Sequence, residues 1–275
     1  MIKDIIVNLS VGKPRDVAGD YAISVASAFD AHLSAVACAY EPVIVGIGYP
    51  GAPASVIDSF RAESEAEADR AKKAFDEDAR RAGLSADSFV ISATASGAAD
   101  KLGEIARDYD LSIVAQAQPD YDIAENLAIE GALFGSGRPV LVVPYIQSSG
   151  LKLDRVMVCW DGSRNAARAV GDAMPFLRRA GTIEVVTVEN RERRNELAGA
   201  KIAAHLARHG LKVELKPIVS AELGVADAIL SHAADTSTDL IVMGGYGHTR
   251  LREFVLGGAT SGILGAMTVP TLMAH

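Results

Sequence analysis

The sequence predicts an α/β protein of two tandem domains, each a doubly wound parallel sheet covered by helices on both faces. Short Val/Ile-rich runs alternate with longer segments of helical period along the whole chain. Continuous apolar strands separated by helices belong to parallel sheets buried on both faces, and right-handed crossovers wind such sheets doubly. The pattern is also written twice. Asp110-Leu111-Ser112-Ile113-Val114 parallels Asp239-Leu240-Ile241-Val242-Met243, and Arg138-Pro139-Val140-Leu141 parallels Val269-Pro270-Thr271-Leu272.

In the first half, strands are expected near Ile5–Leu9, Leu33–Tyr40, Ser88–Ala93, Leu111–Ala115 and Val140–Val143, with helices near Asp16–Phe29, Ser55–Arg81, Ala99–Arg107 and Ile123–Phe134. The second half gives strands near Arg155–Trp160, Ile183–Val188, Leu211–Pro217, Leu240–Met243 and Thr271–Met273, with helices near Arg164–Arg179, Glu192–His209, Leu223–Ala234 and Gly258–Ala266. Pro175 should kink the Arg164–Arg179 helix or end it early. The polar stretch Ile146-Gln147-Ser148-Ser149-Gly150 reads as a linker, so the domains are expected at residues 1–147 and 151–275. Glu41–Pro53, rich in Pro and Gly, reads as a long irregular loop.

The chain has 275 residues, 49% hydrophobic and 23% charged, which suffices for a real core. A net charge of −8 argues against general affinity for nucleic acid or an anionic membrane. The charge is uneven. Residues 1–150 hold 12 Lys+Arg and 22 Asp+Glu, a net of −10, whereas residues 151–275 hold 15 and 13, a net of +2. A phosphate ligand would therefore favour the second half. Two cysteines, Cys38 and Cys159, sit in apolar runs and fit buried thiols in a reducing, cytoplasmic setting. Phe254–His275 lacks Asp, Glu, Lys and Arg, but its glycines and Pro270 favour a buried helix and strand over a membrane span.

In an open parallel sheet, ligands bind beyond the carboxyl ends of the strands where the winding reverses. In the second half, the strands flanking that point end in Trp160-Asp161-Gly162-Ser163 and Met243-Gly244-Gly245-Tyr246-Gly247-His248. Glycines let backbone approach phosphate oxygens, free N–H groups at a helix start favour an anion, and a carboxylate accepts hydrogen bonds from ribose hydroxyls. Asp161 would then face a ribose, with Gly244, Gly247, Gly257 and Gly258 on the phosphate side and His248 beside it. The same residues also suit tight turns and a helix start, and composition alone leaves both readings open.

Gly244-x₂-Gly247-x₉-Gly257 after Asp-Leu-Ile-Val-Met, with Asp161 after the first strand and Val269-Pro270 before the last, resembles the signature of the universal stress protein family. The resemblance runs along the whole chain as two copies. It implies a flavodoxin-like, five-stranded sheet of order 3-2-1-4-5 in each half. It also implies a stress-response role, with ATP or another adenine nucleotide, with Mg, held by the aspartate and the glycines in those members that bind it. Where ATP-binding members carry Ser or Thr after the last motif glycine to meet phosphate, this sequence has Gly258; Thr260 or Ser261, further along the helix, is expected to substitute, with Thr260 taken as the nucleotide-binding residue. The first half departs further. Ser10, Ala115 and Gln118 stand in place of Asp161, Gly244 and Gly247, and Leu127 and Ala128 fall near the last glycine pair. That half is expected to be structural or adapted to another partner.

The resemblance also implies dimerisation through the last strands, common in that family, so Val140–Val143 and Thr271–Met273 are expected to pair within one chain as a pseudo-dimer, with a homodimer or a protein partner beyond it. No Ser-His-Asp signature, metalloprotease motif or Walker loop occurs. Catalysis would amount to slow ATP hydrolysis at most. His205 and His209 share a helix face without a third metal ligand, and Arg191, Arg193 and Arg194 form a basic cluster read as a solvated helix start. The alternative function, of a different class, is a nucleotide-free scaffold of the same fold.

Overall fold

A computed structural model describes residues 1–42, 54–118, 123–189, 196–219, 224–246 and 258–275. They form two compact units, Ile2–Ser136 and Gly137–His275. The expected loop at Glu41–Pro53 lies, past residue 42, outside the described residues.

In the first unit the elements alternate as the apolar pattern requires. They are β1 (Asp4–Asn8), α1 (Val17–Phe29), β2 (His32–Tyr40), α2 (Ala54–Arg81), β3 (Ala86–Ala93), α3 (Ala95–Ile105), β4 (Leu111–Ala115) and α4 (Ile123–Glu130). The strands are parallel in the order β3-β2-β1-β4, with Asp4 opposite His32 and Ile5 opposite Leu111. Ile5, Ile6 and Val7 are fully buried, because helices cover both faces of the sheet. α1 buries Val17, Ala18, Tyr21, Ala22, Val25, Ala26 and Phe29, one stripe at helical spacing. Its start is fixed by Asp16, whose Oδ1 accepts the Gly19 N–H at 3.0 Å.

Helix α3 begins four residues earlier than the Ala99 expected. Thr94 caps it, accepting the Gly97 N–H at 3.2 Å. The single helix expected over Ile123–Phe134 stops at Glu130 and continues as a π-helical turn, Gly131–Gly135. Here α3 and α4 touch backbone to backbone. A Cβ on Gly103 would lie 2.5 Å from the Gly131 carbonyl oxygen, and one on Gly131 would lie 2.2 Å from that of Ala99.

The second unit contains β5 (Val140–Val143), β6 (Arg155–Cys159), α5 (Arg164–Leu177), β7 (Thr182–Glu189), α6 (Glu196–Arg208), β8 (Val213–Val219), α7 (Val225–Asp235), β9 (Leu240–Gly244), α8 (Ala259–Ala266) and β10 (Thr271–Ala274). β8-β7-β6-β9-β10 run parallel, the flavodoxin-like order 3-2-1-4-5. β5 lies outside β10 and antiparallel to it, with Thr271 opposite Val142 and Met273 opposite Val140.

Helix α5 ends two residues past Pro175, which falls in its last turn. β8 sits two residues later than expected, after Gly210 turns the chain at φ +78. It is the edge strand beside β7, where the missing N–H of Pro217 is tolerated. The charge-free C-terminal stretch forms, in its described part, α8 and the wholly buried β10. No helix among the described residues is long and apolar enough to cross a membrane. Cys38 is buried and Cys159 half-buried, and burial pushes their thiols up to about 11 and about 12.

The duplication is written in hydrogen bonds as well as sequence. Asp110 accepts the Lys3 N–H at 2.8 Å, tying the start of β4 to the start of β1. Asp239 accepts the Arg155 N–H at 2.9 Å and ties β9 to β6 in the same way.

Candidate functional site

The register of β6 against β9, Val158 opposite Val242, carries the two strand ends that the sequence singled out to the same edge of the second unit's sheet. Beyond β6 the chain turns through Gly162 (φ +78) into α5. Ser163, rather than Asp161, caps that helix, its Oγ accepting the Ala166 N–H at 3.1 Å. Asp161 is exposed, and its Oδ1 accepts the Ser163 N–H at 2.9 Å. The carboxylate is thus held by its own backbone and exposed past the end of β6.

The last residue of β9, Gly244, packs against the start of α5. A Cβ on Gly244 would lie 2.7 Å from the Ala166 nitrogen, so the glycine is required by helix packing whatever else it does. The next carbonyl, that of Gly245, accepts from the buried Asn165 Nδ2 at 2.7 Å, and His275 Nδ1 stands 3.1 Å from the same oxygen. Asn165 Nδ2 and His275 Nδ1 are 3.0 Å apart. Tyr246 follows with φ +48, and its N–H donates to the buried Thr260 Oγ1 at 3.1 Å. Thr260 therefore holds the end of β9 against α8, and its side chain turns inward.

Helix α8 opens at Gly258, which supplies no side-chain cap. The N–H groups of its first turn carry the positive end of the helix dipole, and among the described residues no carboxylate or hydroxyl caps them as α1 and α5 are capped. Gly247, His248 and Gly257 lie outside the described residues, as do Arg191, Arg193 and Arg194.

The first unit is built differently at the matching places. Ser10 is buried, Ala115 ends β4, Gln118 is exposed, and Leu127 and Ala128 lie inside α4, four and five residues past its first residue. Where the second unit presents a helix start, the first presents helix interior, with those N–H groups at positions that bond within the helix.

His205 and His209 are exposed and stack edge-on, ring centroids 4.9 Å apart. Among the described residues no group of three or more His, Cys, Asp or Glu is placed to hold a metal. The spacing motifs did not single out Asn165 and His275. They are 110 residues apart and meet only because β10 and α5 flank β9.

Comparison with known proteins bears on family and fold. The Universal stress protein family model matches residues 152–275. The chain is 24% identical over 183 residues to Universal stress protein Slr1230 of Synechocystis sp., a match covering 63% of this chain and 60% of that protein's length. Among solved structures it is similar to a universal stress protein from Archaeoglobus fulgidus DSM 4304, with a TM-score of 0.73 and 17% identity over 98% of this chain and 95% of the other. A functionally unknown protein from Pseudomonas aeruginosa PAO1 gives a TM-score of 0.60 and 14% identity over 99% and 92%. At these identities the structural likenesses establish the fold.

Proposed function

The chain belongs to the universal stress protein family, matched over residues 152–275, and from that premise we propose that it serves in stress response by binding an adenine nucleotide, ATP with Mg, at the carboxyl edge of the second unit's sheet. The observation that carries the proposal is the start of α8. Gly258, among the described residues, supplies no side-chain cap to the first-turn N–H groups of a helix that begins beside the end of β9. Such a terminus favours an anion. Asp161, exposed at the end of the neighbouring strand, supplies the acceptor that ribose hydroxyls need. Gly247, His248 and Gly257 complete the proposed phosphate side on sequence grounds, whereas Gly244 and Thr260 serve by holding the frame.

The division of the chain into repeats at 1–147 and 151–275 is part of the same proposal, as is a cytoplasmic location, which accords with two free cysteines. A second reading, a nucleotide-free scaffold, is favoured by the contact of Gly244 with α5, since that contact accounts for one motif glycine without a ligand.

A thermal-shift titration with Mg-ATP, AMP and pyrophosphate, in wild type and Asp161→Ala, separates the two readings. Nucleotide binding raises the melting temperature of wild type, and Asp161→Ala lowers the response to ATP and AMP while leaving that to pyrophosphate. An unchanged melting temperature with every ligand supports the scaffold.

A further inference from the structure

The first unit contains a cleft of about 530 Å³ between α1, α2 and the β1–α1 connection. It is independent of the nucleotide proposal, which concerns the other repeat. The connection is longer here than in its copy: residues 9–16 join β1 to α1, whereas residues 160–163 join β6 to α5. That extra chain turns at Gly12 (φ +74) against α2, where a Cβ would come 3.4 Å from a Glu67 carboxylate oxygen. At the base, the buried Phe75 reaches within 3.5 Å of where a Gly19 Cβ would stand. The helices meet at that point, and the loop walls the groove.

The lining combines apolar and acidic groups. Ile23, Ala71 and Phe75 give it an apolar surface, and Asp16 and Glu67 stand among its polar atoms. Three cations, Lys13, Arg15 and Arg70, also line it; Arg15 is tied to Asp20 at 2.8 Å, and Arg70 is 68% exposed with Glu67 at 3.8 Å. An anion is poorly served, because the α1 terminus is already capped by Asp16. The surrounding half carries a net charge of −10, 12 Lys+Arg against 22 Asp+Glu, which draws cations toward it.

We propose that this cleft binds a small organic amine, its ammonium held by Asp16 and by Glu67 in place of the exposed Arg70, and its apolar stem laid on Ala71, Phe75 and Ile23. Binding then depends on the ionisation of Asp16. Burial pushes that carboxyl up to about 6, the negative charge of Asp20 adds to the shift, and the N–H groups of Gly19, Ser10 and Ala18 oppose it. Lys13 and Arg15 from the loop, Asp20 from α1, and Glu67, Arg70 and Asp78 from α2 also line the cleft. An alkylammonium keeps its charge throughout this range, whereas Asp16 gains a proton as the pH falls.

The test is a calorimetric titration of the full chain with hexylamine, against hexanol and hexanoate as probes of the same stem. Saturable hexylamine binding is expected near pH 7.5, weakening about tenfold near pH 5 as Asp16 is protonated. Asp16→Asn, which keeps the helix cap, should weaken it at least about tenfold and remove most of the pH dependence. Ala71→Phe, which fills the groove, should abolish it, with circular dichroism confirming the fold. No hexylamine binding overturns the proposal. So does equal binding of hexanol or hexanoate, or binding unchanged in both variants.

Discussion

Gly244 and Asn165 sit so close that a Cβ on the glycine would fall 2.9 Å from the Cβ of the asparagine and 2.8 Å from its carbonyl carbon. The end of β9 and the start of α5 are thereby locked together at the carboxyl edge of the sheet. Gly244→Ala should destabilise the protein by about 1–3 kcal/mol, the usual cost of forcing extra atoms into packed backbone. Chemical denaturation checks this. A cost near zero would show that the two elements part easily.

Asn165 bonds the same loop from the side. Its Nδ2 donates to the Gly245 carbonyl at 2.7 Å while His275 Nδ1 stands 3.1 Å from that oxygen. Asn165→Ala should cost about 1–3 kcal/mol, as for a buried hydrogen bond left unmade. A double-mutant cycle with His275→Ala should give a sum that is not additive, because both side chains address one oxygen.

Asp16 makes stability depend on pH. Its carboxyl is raised from 3.8 to about 6, chiefly by burial. An acid so raised is ionised first in the unfolded chain, so its contribution to stability is fully present below pH 3.8 and is lost as pH rises through about 6. At about 1.4 kcal/mol per pH unit, the loss amounts to about 3 kcal/mol. Asp16→Asn should therefore gain on wild type across that window, measured as the difference in unfolding free energy between the two at each pH. A difference independent of pH would contradict the raised value.

Helices α2 and α6 are followed by glycines with positive φ, Gly83 and Gly210, whereas α7 is followed by Ser237 at φ +53. That conformation strains a residue with a Cβ and suits glycine. Ser237→Gly should raise stability by about 0.5–1 kcal/mol, visible as a small rise in melting temperature.

Much of this architecture was legible in the sequence, because strand runs such as Val140–Val143 and Leu111–Ala115 carry their period and their burial together. Boundaries shifted where a local device outweighed the apolar pattern. Thr94 started α3 early by capping it, and the turn at Gly210 moved β8 along. At the candidate site, the sequence singled out a set of motif residues but could not assign their tasks. Spacing cannot tell a glycine that admits a phosphate from one that admits a helix, and Gly244 admits α5. The inward turn of Thr260 likewise depends on Tyr246, 14 residues earlier in the chain. The cleft beside Asp16 had one visible sign, the longer β1–α1 connection, but its walls come from helices that only the fold brings face to face.

The most direct test of the central claim is a calorimetric titration of the purified, nucleotide-stripped protein with Mg-ATP, beside Asp161→Ala and Gly247→Gln. The second variant imports Gln118, the residue the first half carries at the matching position. The account predicts saturable binding near one site per chain, with affinity reduced about tenfold or more in Asp161→Ala and abolished in Gly247→Gln. Absence of heat in wild type, with no change in melting temperature on adding ATP, would contradict it and leave the scaffold reading in its place.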